Sequence, residues 1–241
     1  FSTKTLKMLE KFKKYISIAG LAAALALLSY FNDAHDFYNN FIKQKRAEDS
    51  LKLLNTGVSI QHVKSVFGSP ITESKNKNEK VTEYIYSFKN FYLQVVFSDD
   101  NEVVFYAVTS KSDSFKPSIP YLRKNLGSTF FELSDSYTRN EADRSSKFYT
   151  YTENIYLANP GNYRHLYLAH NAAGANYGGI NAILFDEVPN PTRESSEIFR
   201  KDSYPNTFGV GEIHGDWGGR ETAFGVGIEY FSSRDLPEHN F

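Results

Sequence analysis

The chain has 241 residues, a formal net charge of -1 from 27 Lys+Arg against 28 Asp+Glu, and no cysteine. The balanced charge argues against a general nucleic-acid binder, and the missing cysteine excludes disulfides, thiolate zinc sites and cysteine nucleophiles. Hydrophobic residues at 41% and aromatics at 16% suffice for a packed core. The aromatics are mostly 20 Phe and 17 Tyr, types that favour strands, so a β-rich body is expected.

The first predicted element is an uncharged run, Ile16 to Phe31, between Tyr15 and Asn32. Ile16, Leu21, Leu25, Leu28 and Phe31 would face lipid in a single-pass transmembrane helix, with Tyr15 and Tyr30 at the interfaces. Lys4, Lys7, Lys11, Lys13 and Lys14 precede the run, and Asp33 and Asp36 follow it. That asymmetry predicts a cytoplasmic N-terminus at the inner membrane and an extracytoplasmic body. Apolar spacing continues through Tyr38 and Ile42, so a helical stalk is expected to reach Ser50.

An internal repeat follows. Residues 59–69 read SIQHVKSVFGS and residues 118–128 read SIPYLRKNLGS. Ser59 and Ser118 suit helix N-caps. Ile60, Val63 and Phe67, and likewise Ile119, Leu122 and Leu126, line one helix face, and Gly68 and Gly127 suit the left-handed exit. After the first helix, alternation over Val81 to Phe88, Phe91 to Phe97 and Val103 to Val108 predicts a three-stranded antiparallel meander. After the second, Lys147 to Leu157, Tyr163 to Ala169 and Ile180 to Phe185 read as strands. The expected fold is therefore α+β: an N-terminal transmembrane helix and stalk (1–50), two helix-plus-antiparallel-sheet modules (51–114 and 115–188), and a glycine-rich extension (189–241) packed on the second.

Residues 55–110 resemble the small envelope fold of the BamE/SmpA lipoproteins. Gly57-Val58-Ser59 through Val63, Phe67-Gly68-Ser69-Pro70 and the turn Phe97-Ser98-Asp99-Asp100-Asn101-Glu102-Val103 carry the resemblance. A tandem of two such units is similar to the β-lactamase-inhibitory-protein architecture. The second copy lacks the proline after its Gly-Ser. The resemblance implies binding and scaffolding rather than catalysis.

In the last third, Thr192 to Lys201 reads as a short helix, Thr207 to Arg220 as a hairpin and Phe224 to Phe231 as a closing strand. Glu212, His214 and Asp216 alternate and would share one face of a strand, where a histidine and two carboxylates could hold a ligand or act as acid and base. Trp217 and Arg220 complete that candidate ligand set. The spacing matches no metalloenzyme signature, so no metal, cofactor or catalytic residue is assigned, and a polar outer face of a glycine-rich hairpin is the plainer reading. The Gly-x-Gly pairs at Gly209 and Gly225 lack the rest of a phosphate loop. Tyr149, Tyr151, Tyr163 and Tyr167 form a tyrosine surplus suited to protein recognition.

These features give the expected function of a non-enzymatic, membrane-anchored binding or scaffold protein. Its partners would be the lipid bilayer through residues 15–31 and another protein, with no nucleic acid, and a homo-oligomer is left open. Two alternatives stand beside it: a sensor or effector of an anti-phage defence system with a cytoplasmic body, and an enzyme using Glu212, His214 and Asp216.

Overall fold

The computed structural model describes residues 30, 34, 38–78, 80–157, 165–180, 188–212 and 224–236. One compact unit begins at Ala47. Its centre is a single eight-stranded antiparallel sheet in the order β1-β2-β3-β4-β10-β9-β8-β7. The first half comprises β1 (Thr72–Asn76), β2 (Val81–Ser87), β3 (Phe91–Phe97) and β4 (Val103–Ser110). A two-stranded ribbon, β5 (Ser118–Ile119) and β6 (Lys124–Asn125), separates it in sequence from the second half. That half holds β7 (Arg139–Arg144), β8 (Tyr149–Tyr156), β9 (His165–His170) and β10 (Thr207–Gly211). The halves join where β4 pairs β10, with Phe105 opposite Gly211 and Val108 opposite Phe208.

The helices are short: α1 (Gln44–Ser50), α2 (Ile60–Phe67), α3 (Phe130–Leu133), α4 (Arg193–Asp202) and α5 (Tyr230–Asp235). Each of the middle three starts at a hydroxyl cap, which satisfies an amide that has no helical partner. Ser59 accepts from His62 N–H, Thr129 forms a capping box with Glu132, and Thr192 accepts from Ser195 N–H. Val63 and Phe67 of α2 pack with Tyr84, Tyr86 and Phe88, while Phe130 of α3 and Phe199 of α4 pack with Tyr151. These contacts cover the first face of the sheet and form the main core.

Among the described residues the Tyr86 hydroxyl, buried in that core, has no hydrogen-bond partner. An unmet buried hydroxyl is a cost, so Tyr86→Phe should raise stability by up to about 1 kcal/mol in urea unfolding. A loss of that size instead would mean that the hydroxyl is satisfied after all.

The structure corrects the expected fold class. The two separate modules are replaced by two halves of one continuous sheet, and no described helix is long and apolar enough to cross a membrane. Of the expected span, Ile16, Leu21, Leu25, Leu28 and Phe31 lie outside the described residues. The run is 16 residues long, about 24 Å as a helix against a hydrocarbon core of about 30 Å. The single-pass inner-membrane assignment is not retained.

The second repeat copy is not a helix either. Ser118 and Ile119 pair with Asn125 and Lys124 across a turn in which Tyr121 and Arg123 take positive φ. Pro120 disfavours helical geometry at Ile119, and helix formation waits for the Thr129–Glu132 capping box. The expected closing strand over 224–231 forms no strand among the described residues as far as Glu229 and becomes α5 from Tyr230.

Candidate functional site

The second face of the sheet is built from alternate residues: Glu83 and Ile85 of β2, Gln94 and Val96 of β3, Phe105 and Ala107 of β4, Tyr167 and Ala169 of β9, and Thr150 and Thr152 of β8. No helix of the main core covers it. A strap of residues 224–229 crosses it instead. Phe224 and Val226 pack onto a small apolar cluster of Val81, Val96, Phe105, Ala107 and Tyr167.

Side chains, rather than a neighbouring strand, satisfy the strap backbone. Gln94, 2% exposed, donates to the Gly225 carbonyl at 3.0 Å and accepts from Gly227 N–H at 2.8 Å. Asn171, 6% exposed, donates to the Ile228 carbonyl at 2.8 Å. Asn171 is itself held by Asn206, which accepts from its N–H and donates to its carbonyl, both at 2.8 Å. The Gln94 amide also donates to Glu83 at 2.6 Å. Burial pushes the Glu83 carboxyl up, more than that hydrogen bond pulls it down.

Gly227 is required where it stands. Its φ is +83°, and a Cβ there would lie 2.7 Å from Thr109 Oγ1 and 2.9 Å from Asn171 Nδ2. Beyond the strap, Glu229 caps α5 by accepting from Phe231 and Ser232 N–H. Tyr230 and Phe231 then pack on Phe148, each with ring centroids 5.7 Å away.

The strap leaves a groove on each side. One, of about 300 Å³, has Thr150, Thr152 and Ala169 in its floor and Glu141 and Asp143 of β7 in its wall. The other, of about 320 Å³, is lined by Thr72, Ser74, Glu83 and Ile85. A third cavity, of about 340 Å³, lies over Tyr106 and Phe208 and is bounded by Leu54, Phe115 and Tyr121.

The residues singled out from sequence fall elsewhere. Tyr149 and Tyr151 are buried in the main core, and Tyr167 is buried against Phe105, so these three offer no free recognition surface. Tyr149 and Tyr151 share one face of β8, but a tyrosine surplus in the sequence does not say which face is covered. Tyr163, His214, Asp216, Trp217 and Arg220 lie outside the described residues. Glu212 follows β10, its N–H donating to the Val104 carbonyl, and burial pushes its carboxyl up. Among the described residues no cluster of three His, Asp or Glu side chains could hold a metal.

Sequence reading missed Gln94 and Asn171. The signal available was an amide breaking an otherwise apolar strand at Gln94; nothing local marks Asn171.

No protein-family model and no curated protein matches the chain. A solved structure of a cysteine-rich secretory protein from Staphylococcus aureus is similar over 65% of this chain at 12% identity, with a TM-score of 0.36. The chain spans 44% of that structure's length, and a likeness at this level carries no argument.

Proposed function

We propose that the protein is a non-catalytic binding module whose working surface is the strap-crossed face of its sheet. The observation that carries this reading is the strap itself. Two buried amides, Gln94 from one half and Asn171 from just after β9, hold the backbone of a non-helical segment that bends at Val226–Gly227. Contacts to backbone are indifferent to most side chains, so a surface that holds one chain segment in this way suits another beside it. The grooves on both sides of the strap leave room for it. The resemblance of residues 55–110 to the BamE/SmpA lipoproteins implies binding and points the same way.

The test is selection of a random peptide library on the whole chain. Selected peptides are expected to bind saturably and to lose at least about tenfold in affinity against Thr152→Arg, whose side chain would fill the groove floor. Peptides that bind the variant as well as the parent protein would contradict the assignment, as would the absence of any binder.

A further inference from the structure

The groove between β7 and the strap is more specific than its neighbour. Glu141 and Asp143 stand two residues apart on the second face of the edge strand β7, opposite Thr152 and Thr150 of β8. Both are exposed, and among the described residues neither carries an ion pair. Among the described residues no lysine or arginine lines the groove. His170, which does line it, has its pKa pushed down by burial, away from the charged form. Glu229 on the strap side contributes a third carboxylate, whose oxygens already cap α5. The groove also contains Phe148 and Tyr230, whose rings lie 5.7 Å apart.

We propose that this groove docks an extended segment of a partner protein that carries arginine or lysine at alternate positions. The proposal rests on the binding-module reading above. An extended strand repeats its side-chain direction every two residues, roughly 6.8 Å. That period matches the spacing of Glu141 and Asp143 along β7, so two basic side chains of one strand meet the two carboxylates in register. The strap shows that this face holds non-helical backbone through side-chain amides. The aromatic pair offers a surface for the flat guanidinium, which stacks on rings where an ammonium does not. Charge complementarity of this kind fixes register and partner choice more than it adds raw affinity.

Fluorescence anisotropy on the whole chain tests this with three labelled peptides: Thr-Arg-Thr-Arg-Thr, its isomer Thr-Thr-Arg-Arg-Thr, and Thr-Glu-Thr-Glu-Thr. The alternating basic peptide is expected to bind most tightly and the acidic one not at all. The Glu141→Gln/Asp143→Asn variant should weaken the first by at least about tenfold. Equal binding of the two basic isomers, or unchanged binding by the variant, overturns the proposal, because non-specific charge attraction does not read spacing. The two readings fail separately. Library peptides that are not basic yet are lost in Thr152→Arg would leave the binding face standing and remove only its preference for basic chains. No binding in either experiment would remove both.

Discussion

Replacing Arg200 by Met should destabilise the protein by about 3–5 kcal/mol at pH 8 and by clearly less at pH 5. Arg200 and Glu153 meet at 2.7 Å under α4, with side chains 3% and 0% exposed. Tyr151 donates to the same Glu153 oxygen at 2.9 Å, while the other oxygen has no hydrogen-bond partner among the described residues. The Arg200 guanidinium donates to the Phe130 and Ser134 carbonyls and lies over the Tyr137 ring. Removing Arg200 alone leaves a buried carboxylate without its countercharge, which costs far more than an ordinary core substitution.

The pH dependence follows from Glu153. Burial pushes its carboxyl up from 4.5 to about 7, against the pull of Arg200. The folded state therefore holds its proton more tightly than the unfolded chain does. This contribution to stability is complete below pH 4.5 and is lost as pH rises through about 7, a change of about 3 kcal/mol. Without Arg200 the folded value climbs further and the loss at pH 8 deepens. Urea unfolding at the two pH values checks this, and equal losses at both would contradict it. The double variant Glu153→Leu/Arg200→Met should recover most of the stability, because a well-packed apolar pair replaces a buried ion pair at little cost.

Gly211→Ala should cost at least about 3 kcal/mol, the second large effect. Gly211 sits at the end of β10 with φ +121°, and a Cβ would lie 2.1 Å from the Val104 carbonyl oxygen and 2.7 Å from Phe105 Cα. Both obstacles are backbone of β4, the strand through which the two halves of the sheet are joined, so no side-chain rotation relieves the clash. Gly225→Ala is the control. A Cβ there meets nothing within 4 Å, and thermal unfolding of that variant should stay close to the parent protein.

Much of the first half was legible because its signals are local. The Ser59 cap, the apolar spacing of Ile60, Val63 and Phe67, and the Gly68 exit define α2. Alternation over Tyr84, Tyr86 and Phe88 and over Phe91 to Phe97 defines β2 and β3. The edge strands were not legible. Thr72–Asn76 and Arg139–Arg144 carry almost no apolar residues, because an edge strand is solvated and charged where a central strand is packed. Thr207–Gly211 was half legible: its glycines suggest a loop, yet every residue is buried in mid-sheet. The matched letters at Ser59 and Ser118 misled, since Pro120 and the capping box that follows change what the same pattern does.

The strap-crossed face was harder still. The alternation of Phe224 and Val226 was visible, but it serves packing onto the sheet rather than pairing within it. What holds the segment there, Gln94, is 131 residues from Gly225 and 133 from Gly227, a separation that no local pattern reveals.

The proposed partners bind at the strap-crossed face. Amide chemical-shift mapping of the whole chain, titrated with a library-selected peptide, tests it most directly. Shifts should gather on Glu141, Thr150, Thr152, Ala169 and Gly227 and on the Gln94 and Asn171 side-chain amides, with Phe131 and Ile198 on the helix side unmoved. Shifts gathered on Phe131 and Ile198, or around Tyr121, with the strap undisturbed, would contradict it.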